Sequence, residues 1–220
     1  MNIQSLLSLL HLSSPSLPIG AFAYSQGLET AVDLEWVRDE STLQTWLEPI
    51  LNHAQANLEL PLLVRCYQAW HQNDIAALEH WQAVLLANRE TAELVMEEQK
   101  LGQTLYRLLV SLNVELPTQA KQMTYLPLFA KACQHFGVSL EQAATGWLWS
   151  WLENQITVAC KTVPLGQTSA QRVLIAMMPQ IEKAINTGLK VEDESIGLTL
   201  PNFAMACAWH ETQYSRLFRS

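Results

Sequence analysis

Ser139-Leu140-Glu141-Gln142-Ala143-Ala144-Thr145-Gly146-Trp147-Leu148-Trp149-Ser150-Trp151-Leu152 decides the fold class. Ser139 and Gln142 stand three apart, the spacing of a capping box, in which each side chain bonds the other residue's backbone N–H. The helix they open carries Trp147, Leu148, Trp151 and Leu152 on one face, with Trp149 off it. Tryptophans on more than one face predict a central helix packed on several sides. The uncharged run from Gln142 to Leu152 is far short of the ~20 residues that span a bilayer.

Helical signals continue in both directions. Towards the C-terminus, Pro164-Leu165-Gly166 ends the central helix. Thr168 or Ser169 is placed to cap the next, with Leu174, Met177, Met178, Ile181 and Ile185 as its stripe and Gly188 near its end. Glu192-Asp193-Glu194 reads as an acidic loop, and Pro201 to Ser220 as partly helical. Towards the N-terminus, Gly137 is a C′ residue after the 125–136 segment. A long helix is predicted from about Glu90 to Leu112. Its Glu90, Glu93, Glu97 and Glu98 read as a solvated helix start favoured by the dipole, in preference to a metal site. Asp74 caps a helix with Ile75, Leu78, Trp81 and Leu85 inward, and Pro61 opens the apolar segment before it. Ser41 and Gln44 have capping-box spacing ahead of the stripe Leu43, Trp46, Leu47, Ile50, Leu51 and Ala54. Pro49 inside that stripe predicts a kink or a helix restart. Ile3, Leu6, Leu7 and Leu10 share one face of a first helix, which Ser13-Ser14-Pro15-Ser16-Leu17-Pro18 breaks. No strand alternation, linker or fixed repeat interrupts the pattern. The reading is an all-α single domain over residues 1–220, a bundle of roughly eight to ten helices, with 201–220 as a C-terminal tail.

Composition narrows the function. Of 220 residues, 49% are apolar and only 15% charged, against roughly 25% charged in an average soluble domain. Few charges on many apolar groups suggest surface meant for a partner. Lys plus Arg is 13 and Asp plus Glu 21, a net charge of −8. That balance argues against nucleic acid, which rewards clustered Lys and Arg. Residues 1–28 hold no charged side chain, and Ala21-Phe22-Ala23 mimics a signal-peptidase site. A basic n-region is missing and two prolines follow the apolar run, so the segment reads as a folded N-terminus. Cys66, Cys133, Cys160 and Cys207 are far apart and read as buried free thiols, with a cytoplasmic location.

Chemical motifs are sparse. No Gly-Lys dipeptide occurs, so there is no P-loop. Ala23-Tyr24-Ser25-Gln26-Gly27 is a nucleophile-elbow variant without the strand that motif requires, which makes Ser25 a poor nucleophile candidate. His210-Glu211-Thr212-Gln213-Tyr214 begins like a zincin helix but has Tyr214 where the second histidine belongs. Cys207 and His210, spaced Cys-x-x-His, remain candidates only for a transient metal contact. Tyr214-Ser215-Arg216-Leu217-Phe218-Arg219-Ser220 mixes basic, aromatic and apolar groups on an acidic chain. It is either a tail docked on its own domain or a partner-binding tail rich in hot-spot residue types.

Three separated motifs resemble one family. Leu12 to Glu29, with Pro18-Ile19-Gly20-Ala21-Phe22-Ala23-Tyr24-Ser25-Gln26-Gly27-Leu28-Glu29 at its heart, is similar to the N-terminal signature of the UreF family of urease accessory proteins. Ala21 stands where a second glycine is usual. Pro164-Leu165-Gly166-Gln167 with Gln171-Arg172 resembles the family's middle motif, and residues 210–220 its C-terminal signature. The helix from Glu90 through Gly102 is also similar.

The resemblance implies an all-α, cytoplasmic homodimer without catalysis of its own. It implies binding to UreD (also called UreH), recruitment of the GTPase UreG, and action on the urease apoprotein. No cofactor would be resident: the complex handles nickel, and UreG binds GTP. No nucleic acid or membrane is implied as a partner. Carried onto this chain, Tyr214, Arg216, Leu217, Phe218 and Arg219 would face UreD. Tyr24, Ser25, Gln26, Glu29, Lys161, Gly166, Gln167 and Gln171 would face UreG or urease. The competing reading of Lys161, Gly166, Gln167 and Gln171 is a helix–loop–helix turn held by amide hydrogen bonds. The alternative function is an α-helical hydrolase or lyase with a pocket between helices, marked by a Cys or Glu near a His on facing helices. A third is a structural dimer whose tail serves only stability.

Overall fold

The computed structural model describes residues 2–197 and 200–220. Among them are ten α-helices and no strand. In chain order they are α1 (Ile3–Leu12), α2 (Leu28–Asp33), α3 (Glu40–Pro49), α4 (Leu60–Gln72), α5 (Ile75–Ala87), α6 (Ala92–Ser111), α7 (Tyr125–His135), α8 (Leu140–Thr162), α9 (Gln167–Gly188) and α10 (Pro201–His210). No helix among the described residues is long and apolar enough to cross a membrane.

Helix α8 is the central one. The Ser139–Gln142 capping box forms in both directions. Beyond it α8 packs on α9, α2, α1, α4 and α7. Trp147 stacks on Tyr125 at 5.1 Å and meets Phe129 edge-on at 5.3 Å. Its indole N–H donates to Gln55 at 3.0 Å, so the ring buries its area without leaving a polar atom unmet.

The α3 and α4 helices are one rod, joined by a π-helix over Ile50–Glu59. Pro49 lies just before the π segment and Pro61 just after it begins to tighten again. Each removes an N–H from the α ladder, and the wide turns lie between them. The widened register points Gln55, Ala56, Leu58 and Glu59 inward together. Helix α9 lies against this stretch, close enough that a Cβ on Gly188 would come within 2.6 Å of Leu60 Cβ.

Several local expectations are corrected. The cap of α3 is Asp39, not Ser41. The Asp39 carboxylate accepts Thr42 N–H at 2.8 Å and Thr42 Oγ1 accepts Asp39 N–H at 3.0 Å. A carboxylate meets the positive helix end better than a hydroxyl. Helix α9 starts at Gln167 behind Gly166, ahead of Thr168 and Ser169. Met178 is exposed, as are Ile3, Leu7 and Leu10 on the outer face of α1. Cys160 is exposed, while the other three cysteines are buried and free.

The largest correction concerns the acidic start of α6. Glu97 and Glu98 are buried, not solvated. Arg89 forks between Glu59 at 2.6 Å and Glu98 at 2.7 Å. The bidentate geometry offsets the desolvation of three charges. These groups and Gln26, Gln55, Tyr125, Trp147 and Trp151 line a pocket of about 120 Å³ that opens to the surface beside exposed Pro15 and Phe22.

Candidate functional site

The first and last motifs of the chain meet. The loop before α2 needs two left-handed glycines. Gly20, at φ 84°, has nothing near its missing Cβ, so its role is the turn itself. Gly27, at φ 77°, also admits α10, since a Cβ there would lie 3.0 Å from Cys207 Sγ and 3.1 Å from Cys207 N. That close approach seats α10 on α2 and aims the following residues back at the loop.

Residues 216–220 then run along the loop as a docked strap. Arg219 N–H donates to Ala23 O at 2.8 Å, and Ser25 N–H donates to Ser220 O at 2.7 Å. The Ser25 hydroxyl also donates to Ser220 O. Glu29 receives the strap from below: its carboxylate accepts Leu217 N–H at 2.6 Å and Phe218 N–H at 3.1 Å. Phe218 and Ser220 are buried. The Lys161 ammonium sits 5.5 Å over the Phe218 ring, a cation–π contact.

A buried histidine holds the other end. His210 has no solvent exposure. Its Nδ1 lies 2.7 Å from Glu93 and its Nε2 3.2 Å from Glu29. Arg216 reaches Glu93 at 2.5 Å and the His210 carbonyl at 3.3 Å. Glu29, Glu93, His210 and Arg216 therefore form one network over α2, α6, α10 and the strap. Thr30 donates to Gln213 at 2.9 Å, tying the intervening turn to α2.

Behind the loop, amides hold it to α8. Asn154 donates to Tyr24 O at 2.9 Å and Gln155 to Ser25 O at 3.2 Å. Gln26 accepts from Trp151 Nε1 at 2.7 Å and donates to Glu97 at 2.8 Å. Ser220 Oγ donates to the other Glu97 oxygen at 3.1 Å. Removal from water pushes the Glu97 carboxyl up to about 7, against the pull of the Gln26 bond and of Arg89. Burial raises Glu98 and the Cys207 thiol as well.

Sequence-named residues thus divide. Tyr24, Ser25, Gln26, Glu29, Lys161, Cys207, His210 and the tail residues come together. Gly166, Gln167 and Gln171 lie exposed at the turn between α8 and α9, where the Gly166 carbonyl accepts Ala170 N–H at 3.0 Å. Within the tail, Tyr214 and Leu217 point outward at 104% and 72% exposure. Sequence reading missed Glu93, Glu97 and Gln155 as parts of this site. The i, i+4 spacing of Glu93 and Glu97, one face of α6, was the available signal.

The His210–Glu pairing matches the mark of the hydrolase alternative. Yet the ring is sealed, and the tail's backbone occupies the carboxylate that would serve it. Ser25 likewise donates to the tail and faces no imidazole. Among the described residues no group of three or more His, Cys, Asp and Glu is arranged to hold a metal ion.

A family profile described as UreF matches residues 37–178. The chain is 52% identical over 218 residues to the urease accessory protein UreF of Chromohalobacter salexigens, covering 98% of this chain and 95% of that one. It is 46% identical to the UreF of Hahella chejuensis, covering 98% of each. It is 46% identical to that of Teredinibacter turnerae over the whole of both. All of these fall in one class, the urease accessory proteins. Within that class, the chain belongs to the UreF family.

Proposed function

We propose that this chain is a non-catalytic scaffold in urease maturation, and that the docked strap is its surface for UreD. The supporting observation is the division of the tail into two faces. Phe218, Ser220 and the backbone of 217–219 hold the chain's own loop, while Tyr214 and Leu217 stand in solvent with nothing of their own to cover. Exposed aromatic and leucine side chains on a tied-down backbone bind without the ordering cost of about 1–2 kcal/mol per residue. Arg219 adds a fork-shaped donor to carboxylates or carbonyls, and Arg216, whose Nη1 is held by Glu93 and the His210 carbonyl, would meet UreD through its remaining N–H groups.

In this reading the exposed α8–α9 turn, with Gly166, Gln167 and Gln171, faces UreG or urease. Tyr24, Ser25, Gln26, Glu29 and Lys161 act behind the strap and set its shape. Nickel is cargo of the assembled complex, GTP belongs to UreG, and this chain works in the cytoplasm as a homodimer.

The test is co-purification of the full chain with UreD and UreG by size-exclusion with light scattering. The Tyr214→Ala/Leu217→Ala double variant removes no buried group, so its thermal melt should match the parent. Its affinity for UreD should fall by about tenfold or more. Unchanged UreD binding by the double variant would overturn the tail assignment, and hydrolase activity of the isolated chain in the absence of urease would revive the enzyme reading.

A further inference from the structure

The network around Glu97 ties a buried carboxyl to the position of the strap. Glu97 lies on α6 with both oxygens engaged, Oε1 by Gln26 and Oε2 by Ser220. Ser220 is the residue that closes over it, and Ser220 is itself held at Ser25. The groups that face Glu97 are drawn from every side of the site. Arg89 and Glu98 flank it near its own helix, Tyr24 lies in the loop, Tyr125 on α7, and Cys207 on α10. Only Arg89 is cationic, and its fork is already shared by Glu59 and Glu98. Among the described residues, no group of opposite charge is therefore dedicated to Glu97.

We propose that docking of the strap is proton-linked through Glu97: the strap closes most tightly on the neutral carboxyl and loosens when it ionises. Either form finds a partner at Ser220, because a hydroxyl donates to a carboxylate and accepts from a carboxylic acid. What differs is the cost of sealing a charge away from water. The docked state raises this carboxyl to about 7, and lifting the strap readmits water and lets it fall towards the ordinary value near 4.3. The docked state therefore holds the proton more tightly, and docking takes one up. Docking is strongest below the ordinary carboxyl range, weakens as pH climbs towards 7, and levels off above it. The consequence for UreD rests on the tail reading given above; the linkage itself does not.

The test is hydrogen exchange of the full chain at pH 5.5, 6.25, 7 and 8, read as protection factors of the 217–220 peptide. The amides of Leu217, Phe218 and Arg219 are the docked donors, so their protection reports closure. Wild-type protection should fall by up to about tenfold per pH unit from 5.5 to 7, then flatten. Glu97→Gln, neutral at every pH, should give a level profile. If that variant folds poorly by circular dichroism, Gln26→Ala serves: losing one donor to the ionised form should move the flattening point to higher pH. A flat wild-type profile overturns the proposal. So does a Glu97→Gln profile that keeps the wild-type slope. UreD binding at pH 6 and 8 is a separate arm. Strap loosening without any change in UreD affinity leaves the proton link standing and removes the tail from the partner surface.

Discussion

Two runs of acidic residues, 90–98 and 192–194, look alike in sequence and differ in everything physical. In the second, Glu192, Asp193 and Glu194 are exposed, and one of them, Asp193, pairs with Arg65 at 2.5 Å while remaining 55% exposed. In the first, Glu97 and Glu98 are buried, and Glu93 is enclosed by His210 and Arg216. The contrast lies in what crosses each run. The loop has solvent above it, whereas the first turns of α6 are crossed by the π segment's Glu59, by Arg89 and by the strap. Identical side chains become a solvated rim in one place and the joinery of the molecule in the other.

The contrast is broken or sharpened most strongly at the two arginines. Arg89→Ala strands Glu59 and Glu98 without a counter-charge and should cost about 3–5 kcal/mol in urea unfolding. Arg65→Ala, which loses an exposed partner in Asp193 and one bond to Val191 O, should cost less, about 1–2 kcal/mol, and equal losses would erase the distinction. Next is Glu97→Gln. Because the folded state raises this carboxyl from about 4.3 to about 7, the wild type loses stability as pH rises through that window. The variant should therefore gain up to about 3 kcal/mol over wild type at pH 8 and little at pH 4. Gly102→Ala probes how closely α6 lies on the chain beside it. The new Cβ would meet Thr124 C at 2.6 Å, an overpacking worth about 1–3 kcal/mol of destabilisation. Asp193→Asn, in the exposed loop, should shift the urea midpoint by no more than about 0.5 kcal/mol.

Legibility in the sequence followed the range of the interaction. The Ser139–Gln142 box, the Asp74 cap and the Gly137 stop were readable because each is closed within a few residues. Ser41 misled because the side chain two residues earlier is a carboxylate, and the better acceptor took the cap. The π segment was half visible: Pro49 announced a break in the ladder, but nothing local distinguishes a kink from a widened turn. Burial of Glu97 and Glu98 was unreadable, since it depends on Arg89 adopting a fork and on Ser220 arriving from 123 residues away. The Gly20–Gly27 loop and the 210–220 segment were each legible as motifs. Their contact was not, because neither carries a periodic signal pointing at the other.

The strap also sets an order of events during synthesis. Ser25 and Ser220 are 195 residues apart, and a ribosome adds about 5–20 residues per second. The seat of the strap is thus translated roughly 10–40 s before the segment that fills it. Throughout that interval the Ser25 amide and the Glu29 carboxylate lack the groups that will satisfy them, and the apolar seat of Phe218 is open. The seat itself is completed only when α8 and α10 have been made, because Asn154, Gln155 and Lys161 hold the loop and the Phe218 ring. Closure of the strap is therefore the last tertiary contact the chain can make.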